Sequence, residues 1–217
     1  MKIVGQKHKR KDGYEKVTGK TKYIDDLEFK NCLYGKAVRS KIPRGKITKI
    51  TYDSSIPWDE FVIATYKDIP GKNVIASLDT DQPLLAETEV RYIGEPILLI
   101  AHPNQSEVEN AVNYINVEYE ELTPIFDIEK TPAQDQIQYK KDNVFKEYKF
   151  SKGDVSKVWD DAYLVTKGKY KTGAQEHIYI EPQGMVAVAS PEKGVTIWGS
   201  LQCPYFIHNG MKVLFGM

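Results

Sequence analysis

An α+β fold is predicted by three features of the chain: short strand-like runs through the first 125 residues, one amphipathic helix set among them, and a proline–glycine hairpin signal further on. Hydrophobic residues make up 41% of the 217 positions and charged residues 28%, close to globular averages, which excludes a wholly disordered chain. At roughly 100–200 residues per domain, this length suits one large domain or two small ones.

The elements follow in order. Residues 1–18 are polar and lysine-rich, with Asp12-Gly13 as a turn signal, and read as an extended lead-in. Leu33–Ser40 reads as a strand ended by Pro43-Arg44-Gly45. Lys46–Tyr52 alternates polar and apolar residues at period two, the pattern of a half-buried strand. Phe61–Tyr66 and Glu95–Ala101 read as buried strands. Ser106 and Glu109 have the spacing of a capping box, and Val108, Ala111, Val112 and Ile115 then form one apolar helical stripe. Val117–Glu120 returns to strand, and Pro124 ends it.

Residues 127–150 are polar, contain Pro132 and hold few aliphatics, so they read as a linker. Asp154 is expected to cap a short helix with Val155, Val158 and Ala162 turned inward. Strands are expected over Tyr163–Lys171, Ile178–Ala189 and Val195–Ser200, the last two joined by Ser190-Pro191-Glu192-Lys193-Gly194. Pro204 begins a helix with Phe206, Met211, Val213 and Leu214 available for packing. The sequence stops just after this core-forming segment with no closing strand, as expected of the front part of a larger domain.

Charge and motifs narrow the chemistry. Thirty basic residues balance thirty acidic ones, which argues against a protein built mainly to bind nucleic acid. No apolar run approaches the roughly 20 residues that span a bilayer, and the start lacks a signal-peptide core. The only cysteines, Cys32 and Cys203, are expected to be thiols in a reducing compartment, so a cytoplasmic location is expected. Phosphate-loop, C-x-x-C, G-x-S-x-G, H-E-x-x-H and G-x-G-x-x-G motifs are absent.

Several side chains remain as candidates. His177 and Glu181 would share a strand face with Tyr179, yet two possible ligands do not complete a metal site, and mutual or backbone hydrogen bonding is the simpler reading. Gln175, Gln183 and Gln202 cannot act as bases but can donate and accept hydrogen bonds, as positioning groups do; solvation is the simpler reading. Cys203 has no neighbouring cation in sequence and reads as a buried, inert thiol. Asp79, Asp81, Glu87, Glu89, Glu118, Glu120 and Glu121 read as solvated carboxylates.

Six blocks in order resemble the N-terminal part of the molybdenum-binding large subunit of the xanthine dehydrogenase and aldehyde oxidase family. They are Lys16–Asp26, Leu33–Ser40, Leu84-Leu85-Ala86 with Val90–Pro96, Val117–Pro124, Gly173–Pro182 and Trp198–Pro204. The resemblance implies an a/b hammerhead domain over 19–126 and, after the 127–150 linker, the beginning of the molybdopterin-binding domain over 151–217; in family terms that domain opens near residue 137.

The resemblance also implies a reaction. The family hydroxylates an electron-poor carbon of an aldehyde, a purine or another nitrogen heterocycle with oxygen from water. Electrons leave through iron–sulfur clusters and usually FAD, expected here on partner subunits or domains. By position, Gln202 matches the glutamine that approaches the molybdenum centre through an oxo ligand, and so is the catalytic and cofactor-binding candidate. The residue before it, often threonine in the family, is Leu201; Gln202-Cys203-Pro204-Tyr205 leans toward xanthine dehydrogenases. His177 and Glu181 fall in a block associated with the fold. No metal ligand is assigned, and most cofactor-binding residues belong to the remainder of the molybdenum subunit. These residues alone are therefore expected to be inactive. A non-catalytic subunit-docking or scaffold module derived from the family is the alternative, and an unrelated small α+β binding protein would require all six matches to be coincidence.

Overall fold

In the computed structural model the described residues are 3–75, 80–130 and 132–217, so Asp79 lies outside them. The chain divides into two compact units, one of residues 33–176 with 206–217 and one of residues 1–32 with 177–205.

The first of these holds two three-stranded antiparallel sheets. The strands are β1 (Tyr34–Arg39), β2 (Gly45–Tyr52), β3 (Val62–Ala64), β4 (Glu89–Val90), β5 (Pro96–His102) and β6 (Ile115–Glu121). One sheet has the order β1-β5-β3, with Val38 opposite Leu98 and Ile63 opposite Ile100. The other has the order β4-β2-β6, with Gly45 opposite both Val90 and Glu121. Successive strand residues face opposite sides, and β5 buries Ile97, Leu98 and Ile100 while Leu99 is exposed. Leu98 and Ile100 pack with Val38, Phe61, Val108, Ala111 and Ile115, whereas Ile97 packs with Ala86 and Val90.

Helix α2 (Gln105–Ala111) lies on β1 and β5 through Val108 and Ala111, as its stripe predicts. Its cap differs from the expected Ser106–Glu109 box. Asn104 is the N-cap and accepts from the Ser106 N–H at 2.9 Å, while Glu109 accepts from the Gln105 side chain at 2.9 Å. Asn is among the strongest N-caps, so the helix starts two positions earlier than the Ser106 signal.

Arg44 is buried and joins three segments. Its guanidinium donates to Glu89 at 3.1 Å, to the Thr123 carbonyl at 3.0 Å and to the Asp135 carbonyl at 2.7 Å. Part of the polar 127–150 stretch is thereby tied to the end of β6.

Residues 151–176 depart most from expectation. Asp154 accepts from the Ser156 N–H at 3.1 Å beside the short α3 (Ser156–Trp159), but Val155 and Val158 are exposed, not inward. No strand forms over Tyr163–Lys171, and Tyr163 and Tyr170 are fully open to solvent. A strand needs a hydrogen-bonding partner and a covered face, and this stretch has neither among the described residues.

Helix α4 (Pro204–Phe215) ends on the loop that follows β3. The Val213 carbonyl accepts from the Lys72 N–H at 3.0 Å and the Leu214 carbonyl from the Gly71 N–H at 2.7 Å. These are the carbonyls a helix C-terminus leaves unsatisfied. A Cβ at position 71 would overlap the Val213 carbonyl oxygen, so the cap requires glycine.

In the other unit, α1 (Gly13–Val17) interrupts the expected extended lead-in, Lys16 pairing with Asp12 one turn away. The hairpin forms between β7 (Met185–Ser190) and β8 (Gly194–Gly199). Gly194 takes φ +69°, and the Ser190 hydroxyl accepts from the Lys193 N–H at 3.0 Å. Strand structure begins at Met185 rather than Ile178, which itself has φ +52°. A β-branched residue in that region breaks extended backbone. Cys203 is exposed, not buried as expected, and Cys32 is half-buried.

Two outcomes are expected. Gly71→Ala lowers the unfolding free energy in urea by about 1–3 kcal/mol through loss of the α4 cap, whereas Gly173→Ala, with open space around its Cβ position, leaves it unchanged. In the native chain a thiol reagent modifies Cys203 faster than Cys32, and the half-buried Cys32 reaches the same rate only in denaturant.

Candidate functional site

The sequence candidates converge on one concave face built within a single unit. Met185 pairs with Gly199 at the open end of the hairpin, so the chain before β7 and the chain after β8 leave it side by side. Ser200 ties them together. Its N–H donates to the Gly184 carbonyl at 3.3 Å and its hydroxyl to the Pro182 carbonyl at 3.4 Å, while the Gly184 N–H donates to the Ser200 hydroxyl at 3.3 Å. Leu201 N–H then turns back onto the Gly199 carbonyl at 2.9 Å.

Gln202 follows directly, with its side chain exposed. It lines an open cavity of about 580 Å³ together with His177, Tyr179, Glu181, Gln183 and Ser200. Gln202 and Gln183 are thus brought to one surface, and Gln175 is not part of it. His177, Tyr179 and Glu181 share the cavity without the expected strand. The rings of His177 and Tyr179 lie parallel at 5.8 Å, across the bend at Ile178.

The donor set indicates what such a face can hold. The two primary amides of Gln183 and Gln202 offer neutral N–H donors, which suit an electron-rich oxygen, while the Ser200 hydroxyl is engaged with the Pro182 carbonyl and Glu181 adds a carboxylate. Among the described residues no group of three His, Cys, Asp or Glu side chains could ligate a metal. What this face offers an oxygen of a bound group is hydrogen bonding from the two amides.

One carboxylate was missed by sequence reasoning. Glu95 is 1% exposed, and burial pushes its carboxyl above the usual glutamate range. The available signal was its place at the head of the Pro96–Ala101 apolar run. Of the carboxylates expected to be solvated, Asp81, Glu87, Glu118, Glu120 and Glu121 are exposed, and Glu89 is half-buried beside Arg44.

Known proteins resemble this chain in sequence and fold. The sequence profile described as "Aldehyde oxidase and xanthine dehydrogenase, a/b hammerhead domain" matches residues 18–123, and that described as "Molybdopterin cofactor-binding domain" matches residues 137–217. A probable xanthine dehydrogenase subunit of Bacillus subtilis is 35% identical over 90% of this chain and 27% of its own length. The nicotinate dehydrogenase large molybdopterin subunit of Eubacterium barkeri is 29% identical over 94% of this chain and 48% of its own length. The chain therefore spans between a quarter and a half of these two relatives. The fold is that of quinoline 2-oxidoreductase from Pseudomonas putida 86, with a TM-score of 0.81 at 21% identity over 99% of this chain and 29% of that one. Aldehyde oxidoreductase from Desulfovibrio desulfuricans gives the same TM-score at 20% identity, over 99% and 26%. With a hammerhead domain followed by part of a molybdopterin-binding domain, the chain belongs to the xanthine dehydrogenase and aldehyde oxidase family of molybdenum hydroxylases.

Proposed function

We propose that residues 19–126 serve as the hammerhead domain and 151–217 as the first part of the molybdopterin-binding domain of a hydroxylase of xanthine dehydrogenase type. The proposed reaction adds water-derived oxygen to an electron-poor carbon of a purine, another nitrogen heterocycle or an aldehyde. Iron–sulfur and FAD groups on partner subunits or domains take up the electrons. The single observation carrying this reading is that the exposed Gln202, two residues after the Ser200 clamp, lines one open cavity together with Gln183.

When bound, the molybdopterin cofactor supplies a metal that is both Lewis acid and two-electron acceptor. The residues of this chain bind and orient. Gln202 would hold a cofactor oxygen by donating an N–H, and the amide keeps that proton across the working pH range, so its hydrogen bond is insensitive to pH. Ser200 sets the backbone from which Gln202 projects. Such a donor would stabilise negative charge on that oxygen.

We further propose that more polypeptide completes this domain. Phe150, Tyr163, Tyr170 and Ile180 are almost fully exposed, more apolar surface than a finished domain leaves open. The remainder of the molybdenum subunit is the proposed cover, and the 217 residues alone are proposed to be inactive.

The test is made in the complete enzyme. Gln202→Ala lowers kcat by about 10²–10³-fold, the loss seen when one preorganised donor is removed. Gln202→Glu, which replaces a donor with an anion, loses at least as much. Molybdenum content stays at the wild-type level in both, because most cofactor contacts lie elsewhere. Unchanged kcat in Gln202→Ala, with molybdenum in place, contradicts the assignment.

A further inference from the structure

Glu95 is a buried acid that the proposed reaction does not use. One carboxyl oxygen, Oε2, accepts from the Arg91 N–H at 2.5 Å, closing a five-residue turn. The other, Oε1, is buried without a partner. The surrounding side chains make their hydrogen bonds elsewhere, although the Arg91 charge still acts on Glu95. On its own loop, the Arg91 guanidinium donates to the Asp81 carbonyl at 3.3 Å, and the Tyr92 hydroxyl accepts from Gln82 at 3.2 Å. At the end of β1, Arg39 donates to the Gly94 carbonyl at 2.8 Å. On β4, Glu89 adds a like charge and is paired with Arg44 at the start of β2. On β6, the Tyr119 phenol faces Ser40. No ion pair reaches Glu95 among the described residues.

The main chain here is stitched to its neighbour, Ser40 N–H to the Glu95 carbonyl at 2.8 Å and Gly94 N–H to the Ser40 carbonyl at 2.9 Å. Arg91, Tyr92 and Ile93 form one wall of an open cavity of about 490 Å³ that is also lined by Pro43, Phe126 and Tyr139. The loop thus encloses a carboxyl with one oxygen buried and unpartnered; burial, which disfavours its charged form, outweighs the Arg91 charge and the Arg91 and Tyr92 N–H groups that favour it.

We propose that the Glu95 carboxyl is a pH-sensitive latch: neutral, it holds the Arg91–Gly94 loop against the hammerhead core, and ionised, it favours opening of the loop and of the cavity the loop walls.

Burial raises the folded-state pKa of Glu95 above its ordinary value. The stabilisation is therefore complete below the unfolded-state value and is lost as pH rises through the folded-state value. Loop opening then increases by up to about tenfold per pH unit across that window.

Hydrogen exchange of the 217-residue chain from pH 4 to pH 8, corrected for intrinsic rates, tests this. Protection of the Arg91 and Gly94 amides falls with rising pH in the wild type and becomes independent of pH in Glu95→Gln, whose amide is neutral throughout. The Leu98 and Ile100 amides, at the centre of the sheet, keep a constant protection. If Glu95→Gln fails to fold, carboxyl carbon NMR on the wild type decides, and a midpoint above the ordinary glutamate value supports the latch. Protection of Arg91 that does not change with pH, or a Glu95 midpoint at or below the ordinary value, overturns it.

Discussion

The hammerhead unit depends on strand β5 being covered on both faces. Ile97 and Leu98 are adjacent, so they point to opposite sides of the sheet, and both are at most 2% exposed. Leu98 and Ile100 require Phe61 and α2 on one side, and Ile97 requires Ala86 and Val90 on the other. Each fully buried aliphatic side chain of this kind contributes about 1.5–3 kcal/mol. Two sheets and a helix follow from that requirement, because no single layer can cover both faces of one strand. The polar features of the unit are arranged around it. Arg44 opens β2 and holds β4 and the 123–135 stretch, and Glu95 sits where β5 begins.

The molybdopterin-binding sequence is governed by the opposite condition. From Ser151 to Ile180 every residue is exposed, including large aromatics. Its order rests on local devices, such as the Asp154 turn, the Ser200 clamp and the β7–β8 hairpin. The clamp and the hairpin fix the backbone just before Gln202, and the exposed apolar side chains are those we propose further polypeptide to cover. In the division of labour we propose, the hammerhead core supplies stability and the later segment supplies side chains to a site.

What could be read from sequence divides along the same line. Strands β1, β2, β5 and β6 and the α2 stripe were legible because their periodicity records burial within this chain. The hairpin was legible because Gly194 must adopt positive φ. Tyr163–Lys171 misled, since its aliphatic and aromatic content predicts burial while nothing among the described residues covers it. The α2 cap was misplaced because Ser106 and Asn104 are both good caps and sequence spacing does not choose between them. Gln202 was found through resemblance alone, a lone glutamine carrying no signal of its own. Glu95 was missed because a charge heading an apolar run looks like a strand terminus, and the closing Arg91 contact depends on the turn at Tyr92–Gly94.

The central claim is that this chain contributes one fixed face of a molybdopterin site that further polypeptide completes. Measuring bound molybdenum and pterin after purification under identical conditions tests it most directly, comparing the 217 residues alone with the same residues continued by the remainder of a molybdenum subunit. The account predicts no retained metal or pterin in the first preparation and near-equimolar amounts of both in the second. Equimolar molybdenum in the 217 residues alone, or its absence from the folded longer chain, would contradict it.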